Sequence, residues 1–247
     1  MTVARRVQLE PAYLLHQRDW RDSSRIVEFF TRDHGRVALF AKGVRRQGSP
    51  YASLLQPFVP LLLSWSGSPD GGTLTGAELA GSPVAVAPQC LMSGFYMNEL
   101  VLKLMERVDP HPDVHEAYAL SLASLADPAA EHRALRLFEK RLLDALGLGL
   151  DYAHLVADGA RVEPDRYYHV DAERGVTGLA ARPDAPGACR GADLLALAGE
   201  ELDGGACLAT ARRLLAASLA AALDGRELES RKVARAVRNA RAGTEER

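Results

Sequence analysis

The sequence predicts an α+β protein in which a small closed β-barrel, residues 1–82, is followed by an α-helical domain, residues 83–247. Three observations carry this. Apolar residues recur at a period of two through the first third of the chain, as in half-buried strands. The links between those runs are short and rich in Gly, Pro and Asp. Past Gly81-Ser82-Pro83 and Pro88 the apolar spacing becomes helical.

Tyr13-Leu14-Leu15 is the first apolar run, and the charged stretch Arg18–Asp22 is expected to turn the chain. Ile26, Phe29 and Phe30 mark a second strand. Arg32-Asp33-His34-Gly35 follows it, and a polar link ending in glycine is a hairpin signal. Val37, Leu39 and Ala41 then alternate with Arg36, Ala38, Phe40 and Lys42. A loop carrying Arg45 and Arg46 leads to a strand at Phe58–Trp65, a strong turn at Gly67–Gly72 and a return strand at Thr73–Leu79. About five short strands suit closure, because a barrel leaves no exposed edge. Spacing alone does not separate one small β fold from another.

Helices are expected over Gln89–Val108, Asp113–Ala126 and Ala129–Leu146. The third has Leu135, Phe138, Leu142 and Leu146 as its inward stripe, with Gly147 just past its end. Within the irregular insert near 150–190, Tyr167–Val170 and Gly175–Thr177 have the pattern of a minor hairpin, and the rest of the insert gives no clear signal. Helices resume over Asp193–Leu202, Cys207–Leu223 and Arg226–Ala240, and residues 243–247 are expected to be disordered.

At 47% hydrophobic and 25% charged residues, composition is that of a soluble globular chain. The formal charge of −2 hides an asymmetry: residues 1–86 carry a net +3, residues 87–160 a net −5, and the remainder balances. Such a split points to a localised polyanion site. Cys90, Cys189 and Cys207 are scattered and odd in number, which fits a reducing cytosol better than a disulfide framework. No apolar run approaches the roughly 18 residues of a membrane span, and no signal segment follows Met1, so a cytoplasmic protein is expected.

The first candidate site is basic and aromatic. Arg18, Trp20, Arg21 and Arg25 lie near the first turn; Arg36, Lys42, Arg45 and Arg46 lie on and after the third strand; Tyr51 follows. Cations spaced along a path suit phosphates, and flat rings suit unstacked bases. Solvated turns with a partly buried Trp20 would account for the same residues. A second cluster, Arg133, Arg136, Lys140 and Arg141, borders the apolar stripe of the third helix. Pairing at i,i+4 spacing with Glu139 or Asp144 is its ordinary explanation. A third group, Arg231, Arg235 and Arg238, shares one side of the terminal helix; a solvated face explains it more simply than a DNA path.

Several motifs together resemble the bacterial RecO family of DNA-repair and recombination mediators. In the first third they are Tyr13-Leu14-Leu15, Arg18, Ser23-Ser24, Phe30-Thr31, Gly35-Arg36-Val37, Ala41-Lys42-Gly43-Val44-Arg45 and Leu55-Gln56-Pro57-Phe58. Further on, Tyr96-Met97-Asn98-Glu99-Leu100, Leu135-Arg136-Leu137-Phe138-Glu139, Leu142-Leu143, Leu146-Gly147 and Leu228-Glu229-Ser230-Arg231 are similar to the family's helical part. The resemblance implies that the barrel is an oligonucleotide-binding (OB) fold whose cluster binds single- and double-stranded DNA and anneals complementary strands. It implies RecR as a partner and RecA loading within RecF-pathway repair, at the nucleoid. It also implies that Arg133, Arg136 and Lys140 dock the acidic, Phe-terminated tail of the single-stranded DNA-binding protein.

Several members of that family hold a four-cysteine zinc site after the third helix. Here Cys189 stands alone, no CxxC pair exists, and His154 and His169 do not complete a tetrahedral set, so neither zinc nor any other cofactor is expected. No GxSxG, HExxH or Walker-type loop is present, and Gly147-Leu148-Gly149 follows a helix rather than a strand. A non-enzymatic binder is therefore expected. A protein-interaction adaptor without direct DNA binding is the alternative.

Overall fold

A computed structural model describes residues 6–83, 85–233 and 235–236. Five strands form the barrel: β1 (Arg6–Trp20), β2 (Ser24–Thr31), β3 (Gly35–Ala41), β4 (Leu61–Ser66) and β5 (Asp70–Leu79). They close in the order β1-β2-β3-β5-β4, with β3 and β5 parallel and every other pair antiparallel. Alternation drives closure: Val27, Phe29, Val37, Leu39, Leu61, Leu63 and Trp65 all point inward and are buried. Val44 and Leu55, from the segment joining β3 to β4, complete that core. The long β1 pairs with β2 along one edge and β4 along the other, and it bends at two register shifts, Val7/Glu10 and Leu14/His16. The expected turn at Arg18–Asp22 is shorter than the sequence implied. Arg18, Asp19 and Trp20 remain in β1, opposite Ile26, Arg25 and Ser24.

The outward face of β1, β2 and β3 divides into two halves. On one half Tyr13 and Phe30 stand opposite each other and are covered by two helices, α1 (Leu91–Leu104) and α2 (Pro112–Ser124). Asn98 of α1 donates to the carbonyls of Leu14 and Leu15 at 3.3 and 3.2 Å, and Tyr118 of α2 donates to Asn98. The Leu14/His16 irregularity frees those carbonyls from the ladder, so the amide answers a backbone need.

His115 of α2 packs against Tyr13 and Phe30, with ring centroids 5.4 Å away in each case. Its Nε2 has no hydrogen-bond partner among the described residues. Burial, with a smaller contribution from nearby Arg32, depresses its pKa from 6.5 to about 4, against the opposing pull of Asp33. A depressed histidine pKa means that the unfolded chain takes up the proton first as pH falls. Stability from this group is thus complete above about pH 6.5 and drains away as pH drops toward 4, by about 3 kcal/mol in all. Urea midpoints at neutral pH and near pH 4.5 should therefore diverge less in His115→Phe than in wild type. Equal acid sensitivity in the two proteins would remove His115 as the cause.

The described residues up to Pro128, together with those from Leu228 onward, form one compact unit. The returning segment is held by Glu99 of α1, whose carboxylate accepts from the Glu229 and Ser230 amides at 2.8 Å each and from the Ser230 hydroxyl at 2.6 Å. This is a side chain capping the start of helical residues 229–233. Burial alone would raise the Glu99 pKa, but those donors and Lys103 outweigh it and hold it below the usual range. Arg231 lies over the Tyr96 ring at 5.3 Å and donates to its hydroxyl. Arg238 and residues 243–247 fall outside the described residues.

Residues Ala129–Glu227 form the second unit. Its helices are α3 (Glu131–Ala145), α4 (Gly191–Ala198) and α5 (Gly205–Ala222). Its small sheet has the order β7-β6-β8, from β6 (Tyr167–Asp171), β7 (Gly175–Leu179) and β8 (Cys189–Arg190). The hairpin expected within 150–190 is thus present, with a third strand added. Phe138 and Leu142 of α3 and Leu215 and Leu219 of α5 are buried in this unit.

Candidate nucleic-acid interface

The other half of the outward barrel face is open. Cross-strand register puts Arg18, Ile26 and Phe40 in one row and Trp20 beside Ser24 in the next. Trp20 is 41% exposed, and its ring centroid lies 6.0 Å from that of Phe40, tilted by 59°. The Arg21 guanidinium sits 6.0 Å from the Trp20 centroid. These rings, the β1–β2 turn and the loop leaving β3 beside it enclose a half-open pocket of about 360 Å³, lined by Trp20, Arg21, Ser23, Ser24, Phe40, Lys42 and Arg46. Cations, hydroxyls and two ring faces therefore meet at one place, where an unstacked base and its flanking phosphates have complementary partners.

Of the sequence-predicted residues, Arg18, Trp20, Arg21, Lys42 and Arg46 belong to this open half. None of those four cations makes an ion pair among the described residues. Arg25 and Arg45 share Asp19, at 3.0 and 3.2 Å, so their charge is partly spent at the rim. Arg36 is a correction. Its guanidinium donates to the Leu102 and Met105 carbonyls at the end of α1 and to Glu28, each at 2.6 Å. A cation on the last carbonyls of a helix satisfies orphan acceptors and opposes the helix dipole, so this arginine joins β3 to α1. Burial would raise the Glu28 pKa, yet Arg36 and Arg107 together keep it low. Tyr51 is also corrected: it packs against the barrel core and donates to the Thr75 carbonyl at 3.2 Å. Phe40 was missed as a ring partner, although its place between inward Leu39 and Ala41 already turned it outward.

The α3 cluster is split. Arg136 is only 7% exposed and donates to Glu139 at 2.6 Å, so it serves an internal ion pair rather than an open surface. Arg133 reaches Asp203 at 3.4 Å, and Lys140 reaches Asp144 at 2.8 Å and Glu200 at 3.7 Å. Arg141 grips Glu200 at 2.7 Å. The ordinary explanation given from sequence, local pairing with Glu139 and Asp144, describes two of these contacts. Among the described residues no three His, Cys, Asp or Glu side chains gather as metal ligands, and no helix is long and apolar enough to cross a membrane.

Comparisons with known proteins agree with this architecture. The family model "Recombination protein O N terminal" matches residues 6–83, which span the barrel, and "Recombination protein O C terminal" matches residues 88–197. A DNA repair protein RecO of Alkalilimnicola ehrlichii is 45% identical over 97% of this chain and 96% of its own length. That of Nitrosococcus oceani is 44% identical over 92% of each chain, and that of Azoarcus sp. is 40% identical over 94% of this chain and 97% of its own. With an OB barrel in front, a helical region behind and both halves matched, the chain belongs to the recombination protein O family.

Proposed function

We propose that the protein serves recombinational DNA repair as a mediator, binding single- and double-stranded DNA through the open half of its barrel and annealing complementary strands. Membership of the family supports the repair role. The observation that carries direct DNA binding is the pocket where Trp20 and Phe40 meet Lys42, Arg21 and Arg46, none of the three in an ion pair among the described residues. It favours this reading over an adaptor that touches only proteins. Strand positioning by charge and stacking needs no covalent step, so the mediator acts without catalysis, cofactor or zinc. RecR, the tail of the single-stranded DNA-binding protein and RecA loading complete the RecF-pathway role in the cytoplasm, at the nucleoid. For the tail, Arg133 is the exposed cation and Lys140 lies half-buried beside it, whereas Arg136 supports the helix from within.

Fluorescence polarisation of a labelled single strand across a salt series tests the DNA site. Lys42→Ala/Arg46→Ala should bind several-fold more weakly, and its log–log salt slope should be shallower by about 1.4, the value for two lost phosphate contacts on a single strand. Wild-type affinity and slope in a variant that melts normally would move the DNA site elsewhere.

A further inference from the structure

Glu200 occupies a position where glycine is normally found. It follows the end of α4, with Glu201 N–H donating to the Ala196 carbonyl at 2.8 Å and its own N–H to Leu197 at 3.3 Å, the Schellman closure of a helix. The residue just past such an end adopts left-handed backbone, and Glu200 does so at φ 60°. For a residue with a Cβ this costs about 1 kcal/mol. A glycine lies one place earlier, Gly199, where φ is −83° and needs none.

What the strained position achieves is charge placement. The Glu200 carboxylate receives Arg141 through Nε at 3.1 Å and a second guanidinium nitrogen at 2.7 Å, with Lys140 Nζ at 3.7 Å. Arg133 adds a contact to the Glu200 carbonyl at 3.4 Å and reaches Asp203 in the same connection. The Arg141 hydrogen bond, opposed by burial and aided by Lys140, keeps the Glu200 carboxyl below the usual range and hence ionised. The Glu200 carboxylate thus occupies Arg141 and the edge of Lys140, beside Asp144 on Lys140 and Asp203 on Arg133.

We propose that Glu200 is a built-in competitor for the α3 cations, so that this surface accepts only a partner peptide bringing several carboxylates and no compensating cations. The inference rests on the reading that α3 docks an acidic tail, and it specifies how that docking is regulated. A carboxylate tethered at Glu200 repels weakly acidic segments, whereas a run of carboxylates can engage Arg141 together with its neighbours Lys140 and Arg133 and displace it. Ion pairs at partly exposed side chains contribute about 0.2–1 kcal/mol each, small enough for such exchange.

The test is polarisation of a labelled aspartate-rich peptide ending in phenylalanine, titrated with full-length wild type, Glu200→Gln, Glu200→Gly and Glu201→Gln. Removing the competitor should tighten binding about three- to fivefold, the release of one partly exposed pairing. Glu200→Gly should show the same gain with relaxed backbone, which guards against a folding artefact in either variant. Glu201→Gln changes net charge identically but leaves Arg141 occupied, and should bind as wild type does. Equal affinities in all four proteins, or an equal gain in Glu201→Gln, overturn the competitor while leaving α3 docking intact. Absence of binding in every protein removes the docking reading and the competitor with it.

Discussion

Trp20→Ala should weaken binding of a single-stranded oligonucleotide by about 5- to 150-fold, the equivalent of the roughly 1–3 kcal/mol that one stacked base contributes. The side chain stands outward from β1, opposite Ser24, so its removal leaves the barrel core untouched. Its loss also releases Arg21 from the indole face and leaves Phe40 as the pocket's remaining ring. Duplex DNA, whose bases are already stacked, should lose less. The protein provides its own reporter, since it has two tryptophans and the other, Trp65, is fully buried. Single-strand binding should therefore quench the exposed fraction of the emission in wild type and leave Trp20→Ala unquenched. A normally folded Trp20→Ala protein with undiminished affinity would show that bases stack elsewhere.

Gly35→Ala should be the most damaging small substitution in the barrel unit. Gly35 begins β3 at φ 66°, and a Cβ built there would lie 2.2 Å from the carbonyl oxygen of Asp109 and 2.7 Å from its nitrogen. Those are backbone atoms with no rotamer to yield. Left-handed strain and overpacking each cost about 1–3 kcal/mol, so the sum approaches a large share of the 5–15 kcal/mol that typically holds a domain. Gly48→Ala is the matched control: its φ is 77°, yet a Cβ there meets nothing within 4 Å. Urea denaturation should show a loss of about 1 kcal/mol for Gly48→Ala and several times more for Gly35→Ala. Equal losses would mean that the Asp109 approach contributes nothing.

Strand alternation was legible because period two leaves little freedom: Val37, Leu39 and Ala41 face inward as their spacing required, and so do Leu61, Leu63 and Trp65. Charges were harder. Arg18–Trp20 read as a turn because polar residues dominate there, while the pairing that keeps them extended comes from β2, out of view of local spacing. Arg36 looked like its basic neighbours, since nothing in a linear chain marks Leu102, Met105 and Glu28 as its acceptors. Arg136 was partly foreseeable, with Glu139 three residues on, but its burial depends on the packing of the whole second unit. Asn98 was visible only as part of a family motif. Its reason lies in two carbonyls of a bent strand some eighty residues earlier.

The grip of Glu99 on residues 229–230 carries a consequence for the order of assembly. Because the first unit is completed by a segment translated after Ala129–Glu227, the ribosome must deliver the whole intervening unit before the barrel's helical cover acquires its last piece. Until then, the carboxylate that later caps a helix has no helix to cap, and a nascent chain carries a closed barrel whose helical cover is unfinished through the interval.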